Sequence, residues 1–355
     1  FSGLICRICQ YCDNLLADEP SFRDEIMKIG VFCSGGDAPG MNACVRSVVR
    51  TAAGHGHEVV GIMRGYHGMI HEEFFIDSDG QQHLTPYRVT TWAAHGGAHL
   101  RSSRSEEFRT ETGQKAAAAI LRKHQIDAII PIGGDGTFNG ATALSKHWDG
   151  QIVGCPGTID NDLMGTDYTI GFSTAVQTAV EAVDKIRDTA SSHDRMFLVE
   201  VMGRHSGYIA LYTALAAGAD VVAIPETDTN FTEIISHLNR LKEQGRMMAI
   251  MVVAEGDEKG GAELINAQLK QHDCPFQTRT IVLGHLQRGG SPTPEDRRRA
   301  TQMGNGAVKA ILAGETGVMI GTRDDRCVSV PFEETYASHR PVSLELLTVL
   351  NEIAS

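Results

Sequence analysis

The sequence feature that most constrains the fold is a buried strand that ends in glycines and leads directly into a helix. The apolar run Ile126–Ile132 has the composition of a buried strand, and Thr137 to Lys146 have the pattern of a helix. Between them lies Gly133-Gly-Asp-Gly-Thr137. Glycine N–H groups can approach a phosphate closely, and a helix N-terminus favours negative charge. The stretch therefore predicts an anion site.

Asp135 is the unusual member of this loop, because a carboxylate repels phosphate unless a cation lies between them. Mg²⁺ is commonly held by one or two carboxylates together with substrate phosphates, and it would fill that role. The alternative is a plain strand–helix turn in which Asp135 only caps the helix. The short motif alone does not decide between the two.

The same unit recurs along the chain, and the recurrence predicts the fold class. Ile29–Cys33 leads through Ser34-Gly-Gly-Asp37 into a helix that ends near Ala53. Further strands are predicted at 58–63, 151–155, 196–202, 221–225 and 247–254, helices at 112–124, 173–188, 208–217, 261–271 and 294–312, and a hairpin at 317–330. Such alternation is typical of an α/β fold with parallel, doubly wound sheets, in which ligands bind at the C-terminal ends of the strands.

A pair of carboxylates follows the strand predicted at 151–155. In Pro156-Gly-Thr-Ile-Asp-Asn-Asp162, Asp160 and Asp162 would project to the same side if the segment were extended. One could then act as a base while the other lies near a cation. A hydrogen-bonded turn without a chemical role is the alternative.

Charge and composition narrow the partners that the chain can have. The net charge of −12 argues against nucleic acid. No apolar run approaches the roughly 18 residues that a membrane-spanning helix needs, so no membrane partner is expected. The eight cysteines lack a disulfide spacing, and no secretory signal is recognisable near Phe1. These features favour a cytoplasmic protein.

Residues 1–27 are predicted to form an extension outside the main fold. Cys6, Cys9 and Cys12 could ligate a metal, but a closed zinc site needs four ligands, and no cysteine or histidine follows at zinc-finger spacing. An incidental extension is therefore favoured over a metal site.

Taken together, the glycine-rich strand ends resemble the phosphofructokinase family, and the resemblance covers the chain from about residue 27 to the mid-330s. Each motif alone is weak, but five in the family's order, each at a strand end, are a strong signal. The five motifs are Gly35-Gly-Asp-Ala-Pro-Gly-Met-Asn-Ala43, Gly133-Gly-Asp-Gly-Thr137, Pro156-Gly-Thr-Ile-Asp-Asn-Asp162, Met202-Gly-Arg204 and Leu283-Gly-His-Leu-Gln-Arg-Gly-Gly290.

The resemblance implies two interleaved, doubly wound (Rossmann-like) α/β domains. Residues 28–171 and 287–337 would form a nucleotide-binding domain. Residues 172–286 and 338–355 would form a sugar-phosphate-binding domain. No linker composition separates the two, which fits domains that exchange segments of chain.

The resemblance also implies ATP-dependent phosphorylation of fructose 6-phosphate at its 1-hydroxyl, the glycolytic 6-phosphofructokinase reaction. Asp160 matches the base that takes the hydroxyl proton, Asp162 helps to position the metal and substrates, and arginines lie near the transferring phosphoryl group. The implied catalytic residues are Gly36, Arg104, Thr158, Asp160, Asp162 and Arg204.

Two binding sets complete the implied site. The nucleotide set, with Mg²⁺ at Asp135 and ATP as co-substrate, is Gly36, Tyr66, Arg104, Ser105, Gly134, Asp135, Gly136 and Thr137. The sugar-phosphate set is Thr158, Asp160, Arg195, Met202, Gly203, Arg204, Glu255, Arg279, His285 and Arg288. In the family, the arginines matched by Arg195 and Arg279 reach a neighbouring subunit's site, which implies a homo-oligomer, usually a tetramer.

Two glycines favour ATP over pyrophosphate as the phosphoryl donor. Pyrophosphate-dependent members typically carry an aspartate at the position of Gly136 and a lysine at the position of Gly157. A carboxylate at 136 would occupy and repel the space for the α-phosphate, whereas a lysine at 157 would hold the smaller donor. Arg101 departs from the family, which commonly has glycine at this position.

An allosteric effector site is implied only in part. Arg46, Arg50, Arg187 and Asp220 match effector residues of the bacterial enzymes. The expected lysine cluster is instead Gln244-Gly-Arg-Met247, and an expected arginine is replaced by Ser78-Asp79. A weakened or altered response to nucleotide or phosphoenolpyruvate effectors is therefore expected.

Other functions remain as alternatives at this point. They are a pyrophosphate-dependent phosphofructokinase, a catalytically silent regulatory or binding subunit of the same fold, and a lipid or NAD kinase that shares Gly133–Thr137. The last class needs neither the 158–162 motif nor the 284–288 motif. The silent subunit is disfavoured because every implied catalytic residue is present.

Overall fold

The structure is a computed structural model and describes residues 26–354. The extension that carries Cys6, Cys9 and Cys12 lies outside the described residues. The strands are β1 Lys28–Cys33, β2 Glu58–Gly61, β3 Ala128–Gly133, β4 Gln151–Thr158, β5 Ile170–Gly171, β6 Arg195–Val201, β7 Val221–Ala223, β8 Ala249–Ala254, β9 Gln277–Val282, β10 Val318–Arg323 and β11 Arg326–Pro331.

The α-helices alternate with these strands along most of the chain. They are α1 Met41–Gly54, α2 Gly65–Ile70, α3 Glu111–Lys123, α4 Asp135–Ser145, α5 Phe172–Ser191, α6 Tyr208–Ala217, α7 Phe231–Glu243, α8 Ala262–Gln271, α9 Pro294–Leu312, α10 Phe332–Ala337 and α11 Leu344–Ile353. Short 3₁₀ turns span Trp92–Ala94, Glu107–Arg109 and Gly284–Arg288.

Two sheets organise the described chain. The larger has the strand order β11-β10-β4-β3-β1-β2, with the short β5 paired to β4, and the smaller has the order β7-β8-β6-β9. The pairings are parallel except for the antiparallel hairpin of β10 and β11. The predicted α/β fold with parallel sheets and the predicted terminal hairpin are confirmed.

Local sequence signals explain why the helices begin where they do. The Thr293 side chain accepts a hydrogen bond from the Asp296 N–H, and Pro294 is the first residue of α9. Thr110 caps α3 by accepting from the Gly113 N–H, and Asn230 caps α7 by accepting from the Thr232 N–H. The bounds predicted for α9 are those observed.

The differences from the predicted elements lie at the strand ends and in the less periodic segments. The helix predicted from Thr137 begins at Asp135, and the strand predicted to end at Cys155 continues to Thr158. The sequence did not predict the helices α2, α7, α10 and α11 or the strands β5 and β9. The shifts at Asp135 and Thr158 matter for function, because they place the acidic residues at element ends.

One hydrophobic core joins the two sheets. It contains Val31 of β1, Phe172 of α5 and Val199 of β6, each at most 1% exposed. Apolar burial of this extent is the main stabilising term in a fold. The domain boundaries predicted above stay a prediction, but the shared core holds the strand ends of both sheets around one cleft. In the described part of the chain, no helix has the length and apolar content to cross a membrane.

Candidate active site

A cavity of about 860 Å³ lies where the strands of the larger sheet meet the end of β6. Its walls come from the segments that follow β1, β3, β4 and β6 and from the 3₁₀ turn at Gly284–Arg288. The predicted residues that line it are Gly36, Tyr66, Arg104, Ser105, Gly134, Asp135, Gly136, Thr137, Thr158, Asp160, Asp162, Arg204 and Arg288.

The loop between β3 and α4 forms one wall of the cavity. Gly134 is the N-cap in extended conformation, and Asp135 and Gly136 occupy the first turn of α4. A Cβ added at Gly136 would meet no described atom within 4 Å. Open space beside helical N–H groups is the arrangement that a phosphate chain requires. Asp135 is the first residue of α4, and Gly134 occupies the N-cap position that the capping alternative gave to Asp135.

Tyr66 and Phe108 form an aromatic floor beneath this loop. Their ring centroids lie 4.0 Å apart and the rings are nearly parallel. The Tyr66 hydroxyl donates to the Thr137 carbonyl at 2.7 Å, and burial raises the pKa of this phenol above its usual range. Tyr66 is therefore a neutral donor that fixes the loop.

Asp160 is the most buried acid that lines the cavity. It is 3% exposed, and its Oδ1 has no hydrogen-bond partner among the described residues. Burial, followed by the charge of Asp162, raises the Asp160 pKa to about 6, while Arg288 and Arg204 oppose that rise. A buried carboxylate with a pKa near neutrality is suited to accept a proton.

The segment that carries Asp160 and Asp162 is a turn and is not extended. β4 ends at Thr158, Asn161 has a φ of 54°, and its side-chain Oδ1 accepts from the Thr169 N–H at 2.8 Å. The extended arrangement considered for the two carboxylates is therefore wrong. Both still line the cavity, because the left-handed residue between them turns the chain at the strand end.

The arginines at the cavity differ in their surroundings. Arg204 has a φ of 52°, and its Nε lies 3.9 Å from Asp160 Oδ2. Arg288 Nη1 donates to the Asp37 carbonyl at 2.9 Å, and a Cβ at Gly36 would approach that nitrogen within 2.6 Å. Arg288, predicted for the sugar phosphate, thus reaches the first glycine loop. Arg104 is exposed at the cavity wall.

The rest of the predicted sugar-phosphate set lies outside the cavity lining. Glu255 accepts a hydrogen bond from the Arg204 N–H at 2.9 Å, so it helps to fix the backbone of that arginine. Arg195 begins β6, and its Nε is buried without a hydrogen-bond partner among the described residues. Arg279 is exposed on β9, which is an edge strand. Met202, Gly203 and His285 also do not line the cavity.

The predicted effector residues are not brought together in one chain. Arg46 and Arg50 line a second, shallower cavity of about 570 Å³ beside Arg298. Arg187 donates to the Gly218 carbonyl at 2.8 Å, and Asp220 pairs with Arg246 at 2.7 Å. Neither lines that cavity. The site therefore stays a prediction.

Arg101 and Gly157 lie at positions where the local backbone and packing limit which residue fits. Arg101 has a φ of 56°, in the region that favours glycine, which explains why glycine is common at that position. A Cβ at Gly157 would lie 2.9 Å from Met41 Cε and 3.0 Å from Ile132 Cγ2. A lysine at 157 therefore needs those side chains to shift, so of the two donor positions Gly136 is the one with open space.

Several cavity residues were missed by the sequence analysis. Phe108 belongs to the 3₁₀ turn before α3 and Gln114 to the first turns of α3, and the Gln114 side chain donates to the Phe108 carbonyl at 3.2 Å. His339 lies 177 positions after Asp162 yet places Nδ1 3.2 Å from Asp162 Oδ2. No local motif could have signalled that contact. The remaining unpredicted lining residues include Ser103, Arg109, Asn139, Ala143 and His205.

Comparison with known proteins agrees with this geometry. The chain is 46% identical over 330 residues to a Thermus thermophilus protein named ATP-dependent 6-phosphofructokinase 1, covering 92% of this chain and 99% of that protein. It is 42% identical to an ATP-dependent 6-phosphofructokinase of Cytophaga hutchinsonii, covering 92% and 97%. A Saccharomyces cerevisiae phosphofructokinase structure superposes with a TM-score of 0.79 at 33% identity, covering 92% of this chain and 47% of that chain.

A pyrophosphate-dependent phosphofructokinase from Marinobacter aquaeolei superposes with a TM-score of 0.77 at 24% identity, covering 90% and 86%, which shows a shared fold. The sequence profile described as Phosphofructokinase matches residues 28–311, the greater part of the chain. The resemblance inferred from the five motifs is confirmed. The chain belongs to the phosphofructokinase family.

Proposed function

We propose that this protein transfers the γ-phosphoryl group of ATP to the 1-hydroxyl of D-fructose 6-phosphate, giving fructose 1,6-bisphosphate and ADP. The observation that carries the proposal is Asp160. A buried carboxylate with a raised pKa lies at the end of β4, in the same cavity as an open glycine loop at a helix N-terminus. A general base beside a phosphate site is what phosphoryl transfer to an alcohol requires.

The donor would lie along the part of the cavity lined by the predicted nucleotide set, here called the nucleotide wall. The backbone N–H groups of Gly36 and of Gly134 to Thr137 would lie close to the phosphates. The stacked rings of Tyr66 and Phe108 pack against this loop on its inner side. The positive end of the α4 dipole favours the negative charge of the phosphate chain. Arg104, at the rim, supplies a cation for the transferring group.

The acceptor hydroxyl would lie against Asp160. As the hydroxyl oxygen forms its bond to the γ-phosphorus, its proton passes to the Asp160 carboxylate, and the bond to the ADP oxygen breaks. Arg204, 3.9 Å from Asp160, is placed to stabilise charge that develops on the phosphoryl oxygens. Thr158 accepts a hydrogen bond from the Asp160 N–H at 3.2 Å and so helps to hold the base.

The site fits Mg²⁺ delivered with the nucleotide. Asp135 faces the cavity, and among the described residues no cluster of three histidines, cysteines or acids could hold a metal by protein ligands alone. Mg²⁺ usually takes few protein ligands and completes its shell with phosphates and water. Asp135 would hold the ion, which would neutralise the charge of the donor phosphates.

A coupled assay tests the proposal. Fructose 6-phosphate is offered with Mg²⁺ and either ATP or pyrophosphate, and other sugar phosphates replace it in parallel reactions. We expect turnover with ATP and fructose 6-phosphate and little with pyrophosphate. Turnover with pyrophosphate alone would overturn the donor assignment, and no turnover with either donor would favour a silent subunit of the same fold.

The sugar-phosphate set suggests an assembly of identical chains. Arg279 is exposed on the edge strand β9 and lies outside its own chain's cavity, so it is available to a neighbour. We infer a homotetramer in which Arg195 and Arg279 complete the 6-phosphate site of an adjacent subunit. A glycolytic role in the cytoplasm, with effectors at Arg46, Arg50, Arg187 and Asp220, belongs to the same proposal.

A further inference from the structure

A segment outside the recognised motifs crosses beside the cavity and contacts both of its sides. It consists of His339-Arg340-Pro341, here called the strap. The Arg340 N–H donates to the Asp162 carbonyl at 2.8 Å, and His339 forms an antiparallel bridge with Leu163. The strap is therefore fixed by backbone contacts to the turn that carries the two cavity carboxylates.

The other end of the strap is held by α6, which follows the Arg204 loop. The Tyr208 hydroxyl donates to the Pro341 carbonyl at 2.8 Å, and the Arg340 guanidinium lies 5.2 Å from the centre of the Tyr208 ring. Arg340 Nη1 also donates to the Asp167 carbonyl. The strap thus joins the Asp160 turn to the first residue of α6.

The strap places the imidazole of His339 in the wall of the cavity. His339 Nδ1 lies 3.2 Å from Asp162 Oδ2, a distance at which a ring N–H donates to a carboxylate, and the side chain is 58% exposed. Asp162 is far less accessible, because only 15% of its side chain is exposed. A fully exposed ion pair contributes little, but here Asp162 is largely shielded from solvent and His339 is anchored through its backbone.

The Asp162 carboxylate in turn acts on the base. Its charge is the second-largest influence on Asp160, after burial, and raises the Asp160 pKa. The pair is separated by one left-handed residue, so the direction of the Asp162 side chain is not fixed by regular secondary structure. Among the described residues, the cation that pairs with Asp162 is His339.

We propose that His339 is a positioning residue for phosphoryl transfer, because it holds the Asp162 carboxylate in place beside Asp160. This inference rests on the proposed function, in which Asp160 is the base. Loss of the imidazole would let the Asp162 carboxylate turn away, and the reacting groups would lose their alignment. Misplacement of about 1 Å near the chemistry can cost on the order of 100-fold in rate.

The test uses His339→Leu, which removes the hydrogen-bond donor, and His339→Asn, which keeps an amide donor near the position of Nδ1. In the full-length enzyme, we expect His339→Leu to lower kcat by about 10- to 100-fold with KM values changed less than about threefold. His339→Asn should recover most of kcat. Tyr208→Phe is the matched control, since it removes the 2.8 Å bond to Pro341 but leaves the imidazole.

A double-mutant comparison decides whether His339 acts through Asp162. In the Asp162→Asn background, His339→Leu should cause little further loss of kcat. Independent losses that multiply would overturn the proposal, as would a normal kcat in His339→Leu or an equal loss in Tyr208→Phe. If His339→Leu folds poorly by thermal melting, His339→Asn alone decides, because a loss as large as that of Asp162→Asn would contradict the proposal.

Failure of this inference is distinguishable from failure of the proposed function. A wild-type enzyme without kinase turnover refutes the proposed function before any variant is compared. A wild-type enzyme with turnover that His339→Leu leaves intact refutes only the positioning role.

Discussion

The two walls of the cavity differ in how far a single chain builds them. All eight residues predicted for the nucleotide line the cavity: Gly36, Tyr66, Arg104, Ser105, Gly134, Asp135, Gly136 and Thr137. Of the ten predicted for the sugar phosphate, only Thr158, Asp160, Arg204 and Arg288 do so. One chain thus brings to the cavity the whole predicted nucleotide set, called the nucleotide wall, but fewer than half of the predicted sugar-phosphate set, called the sugar wall.

The difference follows from how each wall is encoded. A strand, a glycine loop and a helix N-terminus form a phosphate site from backbone groups that are adjacent in sequence. The residues predicted for the sugar wall come from several elements, and one of them, Arg279, lies on an edge strand. We therefore expect substitutions in the nucleotide wall to act within one chain, and those at Arg279 to act across chains.

The largest effect is expected where the walls meet, at Asp160. Asp160→Asn removes the base but keeps the shape, so kcat should fall by about 10²- to 10⁴-fold while both substrates still bind. The measurement is steady-state kinetics together with fructose 6-phosphate binding by calorimetry. A variant with near-normal kcat would remove Asp160 as the base.

The same variant should be more stable than the wild type above pH 6. The Asp160 pKa is raised from 3.8 to about 6, so the folded state binds the proton more tightly, and ionising the buried carboxylate costs stability as the pH rises through that range. Asn carries no such cost, so the gain should be on the order of 2–3 kcal/mol at about pH 8. It should shrink as the pH falls below 6 towards 4, which thermal melts at several pH values would reveal.

The next effect tests the nucleotide wall alone. Gly136→Asp puts a carboxylate into the open space at α4, and repulsion of the donor phosphates by several kcal/mol should lower kcat/KM for ATP by at least about 100-fold. Gly136→Ala is the control, because its Cβ meets no described atom within 4 Å. Unchanged ATP kinetics in Gly136→Asp would contradict the donor assignment. Weakened binding of fructose 6-phosphate in this variant would show that the two walls do not act independently.

A smaller effect is expected from the sugar wall. Arg279→Ala should raise KM for fructose 6-phosphate by about 10- to 100-fold, the cost of losing a charged hydrogen bond to a phosphate. The control is Arg326→Ala, because Arg326 is also an exposed arginine and lies on β11. Mixed oligomers of Arg279→Ala and Asp160→Asn chains should regain some activity if the arginine serves a neighbour. No regain would confine Arg279 to its own chain.

The smallest effect is expected beneath the nucleotide wall. Tyr66→Phe removes the 2.7 Å hydrogen bond to the Thr137 carbonyl and leaves that acceptor without this donor. Stability should fall by about 1–2 kcal/mol, and KM for ATP should rise a few-fold. A rise as large as that from Gly136→Asp would mean that Tyr66 contacts the nucleotide more intimately than its buried position indicates.

The sequence predicted the strand, glycine turn and helix around Asp135 well, because the information for them is local. The glycines around Asp135 specify the turn whatever surrounds them, and the apolar strands before them specify the sheet. His339 could not be predicted, since it reaches Asp162 only through the path of the chain after α10. The conformation between Asp160 and Asp162 was also missed, because the left-handed Asn161 depends on its bond to Thr169.

The most direct test of the central claim, that Asp160 accepts the hydroxyl proton, is the pH dependence of kcat/KM for fructose 6-phosphate, because this ratio reports the pKa of the base before the sugar binds. We predict that kcat/KM falls tenfold per pH unit below about pH 6, as one carboxylate with a pKa near that value becomes protonated. A kcat/KM that stays constant from about pH 8 down to about pH 5 would contradict this role of Asp160.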